Sequence, residues 1–168
     1  MSDLFMARFL LDTSLLLGFT REAPWAIRAR EDFNLGDPET MVFTSAICQG
    51  EILALAEKNG WGSEKRSRLE EVLNGVPTLN IGRATILDAY ARIDAWTHGK
   101  TVTSPNNAPP PKPAVAMNQN DLWIAATAHV SRSSLLSTDT DFGHLDNICW
   151  NSSILISMSH RWAPETKE

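Results

Sequence analysis

Phe5-Met6-Ala7-Arg8-Phe9-Leu10-Leu11-Asp12 is an apolar run that only Arg8 interrupts before it closes on a carboxylate. A strand covered on both faces reads as a near-continuous hydrophobic run and not as an alternation, so residues 5–11 are expected to form a buried strand of parallel type. Thr13 and Ser14 then offer caps for a following helical turn. A membrane span needs about 20 apolar residues, far more than this run holds. It also lacks a basic leader and a small-residue cleavage site, so it reads as a strand and not as an export signal.

Outward from that run, strands and helices alternate. Met41-Val42-Phe43 is a short second strand, and Thr44 or Ser45 can cap a helix over 46–59 that Gly60 ends. A polar helix over 63–73 stops at Asn74-Gly75, and residues 76–81 read as a third strand. The helix expected over 83–97 gathers Ile86, Ala89, Tyr90 and Ile93 on one face, and an alanine-rich helix follows over 118–131. Residues 135–137 are a further short strand, with one more candidate each at 148–150 and 154–156. Strands separated by helices imply an α/β fold whose central parallel sheet is covered on both faces. With 168 residues, the chain fits one domain over 1–168. The segment 99–113 breaks the rhythm, since Pro105, Pro109, Pro110, Pro111 and Pro113 exclude helix and central strand. Together with the residues up to Met117 it is a long loop, and 163–168 is a polar tail.

Composition narrows function by exclusion. A net charge of −5 argues against an indiscriminate nucleic-acid binder, which would be basic, but leaves room for a nuclease whose acids are gathered in one site. Cys48 and Cys149 are expected as buried thiols of a reducing cytoplasm. There is no phosphate-binding loop of the Walker or dinucleotide type and no His/Cys cluster of zinc spacing. His98, His129, His144 and His160 are scattered and are not expected to be catalytic. Of the six Trp, Trp123 and Trp150 read as core, whereas Trp61 and Trp96 are candidates for a partner interface.

The informative fact is where the acids fall. Asp12 ends the first strand, Glu51 lies about a turn into the helix after the second, and Asp121 lies in the first turn of the alanine-rich helix beside Asn118 and Asn120. Asp139 and Asp141 follow the strand 135–137. In an open parallel sheet the strand C-termini and adjoining helix N-termini share one edge, where ligands bind. Each acid alone has a plainer reading: Asp12 as a helix cap, Glu51 as a solvated helix face, Asp121 as a charge favourable at a helix N-terminus, Asp139 as a turn former. Together they fall on one edge, where crowded carboxylates repel unless a cation compensates them. Oxygen-only ligation of this kind suits Mg²⁺ or Mn²⁺.

Leu10-Leu11-Asp12-Thr13-Ser14, Ser45-Ala46 leading to Glu51, Asn120-Asp121-Leu122-Trp123-Ile124-Ala125-Ala126 and Leu136-Ser137-Thr138-Asp139-Thr140-Asp141-Phe142 resemble, in order, the PIN domain, and within it the toxin ribonucleases of VapBC toxin–antitoxin modules. The last two motifs are the most specific. The resemblance implies a three-layer α/β/α fold, an endoribonuclease dependent on Mg²⁺ or Mn²⁺, and metal ligation by Asp12, Glu51, Asp121 and Asp139, with Asp141 as a further candidate. It implies Thr13 and Thr138 as hydroxyls that orient these acids, with Asn120 in support. It further implies an RNA substrate, a small antitoxin partner and a homodimer. The loop ahead of Asp121 is longer and richer in proline than is usual in the family. Two other readings stand beside the toxin: a PIN nuclease of RNA maturation or DNA processing without an antitoxin, and a non-catalytic module that keeps the fold.

Overall fold

The computed structural model describes residues 6–100 and 114–145, and the backbone of a short strand at Ile156–Ser157. The apolar run forms β1 (Arg8–Leu11), and Leu10 and Leu11 are buried as its sequence requires. Helices α1 (Thr13–Thr20) and α2 (Pro24–Asp32) lead to β2 (Met41–Ser45), which feeds α3 (Ala46–Lys58) and α4 (Ser63–Gly75). β3 (Thr78–Leu79) is followed by α5 (Ala84–Thr97), α6 (Gln119–Ser131), β4 (Ser134–Ser137), a 3₁₀ turn at Gly143–Leu145 and β5 (Ile156–Ser157). The strands form one parallel sheet in the order β3-β2-β1-β4-β5, with Leu11 in register with Thr44 on one side and Leu136 on the other. Helices cover both faces, giving the expected three-layer α/β/α arrangement. α1 packs on α2, α3 and α4, and α5 packs on α6.

The core runs through the sheet and both helical layers. Leu10, Leu15, Leu16, Ile52, Leu136 and Phe142 are wholly enclosed, and each buried side chain of this size contributes about 1.5–3 kcal/mol. The α1–α2 corner is tight. A Cβ on Gly18 would stand 2.5 Å from the Trp25 ring, so the ring packs directly against the helix backbone there.

Several local expectations shift. Asp12, and not Thr13 or Ser14, caps α1, its carboxylate accepting from the Thr13 N–H. Helix α2 was not anticipated, although Pro24 at its start is the usual signal. The third strand shrinks from 76–81 to two residues because Pro77 has no N–H to donate and Asn80 turns the chain, accepting from the Gly82 N–H at 2.9 Å. Trp61 and Trp96 are not interface residues. Both belong to the core, Trp61 beneath the Lys65 ammonium at 3.5 Å and Trp96 stacked against His144. Trp123 is half-buried and stacks on Tyr90 with centroids 4.1 Å apart. Cys48 is a buried free thiol. Cys149, Trp150, His160, the strand candidate 148–150, the proline-bearing part of the loop (101–113) and the tail 163–168 lie outside the described residues. The two ends of that loop are tied together, the Val115 N–H donating to the Thr97 carbonyl at 2.9 Å.

Candidate active site

In the order β3-β2-β1-β4-β5 the direction of winding reverses between β1 and β4. A reversal of this kind opens a crevice at the strand C-termini, because the connections leaving the two neighbouring strands go opposite ways. Asp12 stands immediately after β1, and Asp139 stands two residues after β4. These two acids therefore flank the crevice.

Asp12 is 7% exposed and firmly held. One carboxylate oxygen accepts from the Thr13 N–H at 2.7 Å, and the other accepts from the Ser137 hydroxyl at 2.6 Å and the Ser14 hydroxyl at 3.3 Å. The Cys48 thiol lies 3.8 Å from the first oxygen. Burial raises the Asp12 pKa; the Ser137, Thr13 and Ser14 donors pull the other way, and the neighbouring Glu51 charge adds to the rise. Cys48 is itself pushed up to about 11, first by burial and then by Asp12.

Glu51 reaches the same place from α3. The Thr13 hydroxyl donates to one of its oxygens and the Asn120 side-chain amide donates to the other at 2.6 Å, so Glu51 ties the start of α1 to the start of α6. Asp121 is placed by a cap: Asn118 precedes α6 and its side-chain amide oxygen accepts from the Asp121 N–H at 3.0 Å. Asp121 is 8% exposed, and its pKa is pushed up to about 6, first by burial and then by the charges of Asp12, Asp139, Glu51 and Asp141. All five carboxylates named from the sequence thus feel one another at Asp121.

Asp139 and Asp141 are exposed and lie in one turn, the Asp141 N–H donating to Asp139 at 2.9 Å. The hydroxyl that organises this end of the site belongs to Ser137 and not to Thr138. Ser137 is fully buried, donates to Asp12 and accepts from the Asp139 N–H at 3.0 Å, so one oxygen sets both acids. Thr138 contributes its backbone N–H, which donates to the Ser14 hydroxyl at 3.1 Å. A sequence signal for Ser137 existed: a hydroxyl closing the apolar strand Ser134–Ser137 has to find a partner. Ser14 read from the sequence only as a helix cap, and its bond to Asp12 gave no signal there. His129 stands apart from the acids, its pKa depressed to about 4 by burial and then by Arg92 and Arg132.

The donor set is made of carboxylate oxygens, and no ion pair among the described residues neutralises Asp12, Glu51 or Asp121. Burial first, and then the neighbouring charges, raise the Asp121 pKa. Chemically these residues fit a hard divalent cation. Among the described residues no three such side chains already stand close enough to share one ion. Glu51 rests instead on Thr13 and Asn120, so sharing one cation among these carboxylates would require them to draw together.

The sequence matches a family described as the PIN domain over residues 9–148. No curated protein matches it in sequence. Among solved structures, VapBC2 from Rickettsia felis bound to a DNA fragment from its promoter is similar with a TM-score of 0.63 and 17% identity, over 84% of this chain and 95% of that one. A toxin–antitoxin complex from Klebsiella pneumoniae gives 0.54 and 22%, over 79% and 88%. VapBC-5 from Mycobacterium tuberculosis, a member of the VapBC family of toxin–antitoxin systems, gives 0.52 and 22%, over 89% and 99%. At these identities the likeness is one of fold.

Proposed function

The chain belongs to the PIN-domain family, and on that premise we propose that it is a divalent-cation-dependent endoribonuclease, the toxin of a toxin–antitoxin pair. The observation that carries the reading is the convergence of five carboxylates on the crevice, with Asp121 pushed up to about 6 by burial and by the other four. A structural role leaves that crowding without purpose, because burying like charges together costs stability. Asp12, Glu51, Asp121 and Asp139 would hold Mg²⁺ or Mn²⁺, with Asp141 beside them. Bound there, such a cation supplies positive charge at the scissile phosphate and Lewis acidity toward water and the leaving 3′ oxygen.

The chain's own part is placement. Ser137 and Ser14 fix Asp12, the Ser137 oxygen fixes the Asp139 turn, and Thr13 with Asn120 fixes Glu51. Glu51 or Asp121 then takes up the proton lost by the attacking water. Products would carry 5′-phosphate and 3′-hydroxyl ends, as the resemblance implies. The antitoxin partner is supported by the fold shared with a toxin–antitoxin complex and with a VapBC-family member. A cytoplasmic homodimer completes the proposal. Among the described residues no helix is long and apolar enough to cross a membrane.

The test is cleavage of total RNA by the purified chain. Activity should vanish in excess chelator and return with Mg²⁺ or Mn²⁺, and Asp12→Asn, Glu51→Gln and Asp139→Asn should each abolish most of it. Undiminished cleavage in chelator would overturn the proposal.

A further inference from the structure

We propose that the groove leaving the acids along α3 seats the RNA strand on one side of the scissile phosphate, with Lys58 holding a backbone phosphate of that strand; this rests on the ribonuclease reading above. The groove is open and holds about 590 Å³, with Thr13, Glu51 and Asn120 at one end, Lys58 at the other and a largely apolar wall between them. From Glu51 to Lys58 the helix advances about 10 Å, a span within reach of a phosphate neighbouring the one at the acids. Two features fit an RNA strand. The groove is continuous with the site where the scissile phosphate must lie, so a strand held there has to leave along its walls. Its far end also presents a cation, since Lys58 is exposed and takes part in no ion pair among the described residues.

Between those ends lies an unexplained glycine. Gly50 sits in the interior of α3, where glycine costs about 1 kcal/mol relative to alanine. Nothing inside the fold asks for it, because a Cβ there would meet no atom within 4 Å. Gly50 and Ala54 are exposed on the face that carries Lys58. Bare helix backbone beside the acids suits a ligand that comes up against it. A lysine in the last helical turn also suits the helix dipole, but that role would alter stability and not the salt dependence of RNA binding.

The experiment measures binding of a short fluorescein-labelled single-stranded RNA of mixed sequence by anisotropy, across a salt series, with Mn²⁺ present and Asp121→Asn as a background that does not cut the probe. Adding Lys58→Gln should flatten the slope of log K against log salt by about 0.7, the share of one phosphate contact on a single strand, and weaken binding about fivefold at ~0.1 M salt. Adding Gly50→Leu should weaken binding at least as much without lowering the melting temperature. An unchanged salt slope in Lys58→Gln, or unchanged binding in Gly50→Leu, overturns the subsite while leaving the nuclease reading intact. Sedimentation of the same samples adds a further outcome: if Gly50→Leu splits a dimer, the groove is an interface between two copies of the chain and the proposal fails.

Discussion

Replacing Asp121 with asparagine removes a charge that the fold tolerates badly. Folding carries this carboxyl from its ordinary 3.8 to about 6, and at about 1.4 kcal/mol per pH unit the ionised form is roughly 3 kcal/mol less favourable in the folded chain than in the unfolded one. The sign follows from proton binding. The folded carboxyl keeps its proton to higher pH, so the stability it contributes is full below 3.8 and is lost as the pH rises through about 6. Asp121→Asn should therefore melt higher than the parent at pH 8 in chelator, by up to about 3 kcal/mol, or about 6–12 °C for a chain of this size. The gap should close towards pH 4. Adding Mn²⁺ at pH 8 should reverse the order, because a ligand that binds only the folded parent stabilises it by mass action. The assay is a set of circular-dichroism melts from pH 4 to 8, with and without metal. A variant that melts at or below the parent at pH 8 in chelator, or that keeps the parent's pH slope, would refute the reasoning.

Other perturbations follow from particular contacts. Ser137→Ala removes the donor to Asp12 and the acceptor of the Asp139 N–H; it should cost about 1–3 kcal/mol in urea unfolding and weaken Mn²⁺ binding by calorimetry. Gly18→Ala drives a methyl into the Trp25 ring and should cost about 1–3 kcal/mol by the same unfolding assay. Cys48, buried and pushed up to about 11, should resist alkylation in the native chain at pH 8 and react once the chain is unfolded, as read by peptide mass. Asp141→Asn should reduce cleavage less than Asp139→Asn, and equal losses would make Asp141 a direct ligand.

The acids were legible in the sequence because each follows a signal of its own. Asp12 and Asp139 come just after apolar strands, Glu51 comes after a capped helix start, and Asp121 comes after Asn118. What the sequence withheld was interaction across the fold. Ser137 closes a buried strand and so needed a partner, but the sequence did not say that this partner is Asp12, 125 positions away. Trp61, in the connection between α3 and α4, and Trp96, in α5, looked available because the sequence says nothing of the neighbours that cover them. Helix α2 hid in a polar stretch whose apolar face is narrow, Ala26 and Ala29 alone being buried. The strand order was not legible either, and it alone makes the edge shared by these acids into a crevice.

The bond between Ser137 and Asp12 joins residues 125 positions apart. On the ribosome this separation becomes a delay. At about 5–20 residues per second, Asp12 waits roughly 6–25 s for Ser137 and Asp139 to be made. Joining β4 to β1 is also a long-range closure, entropically costly and slow beside local helix formation. A nascent chain that stalls or is released before Ser137 therefore has a first strand and several helices but no crevice. On the nuclease reading proposed above, a nascent chain would therefore carry no assembled site until Ser137 and Asp139 have emerged.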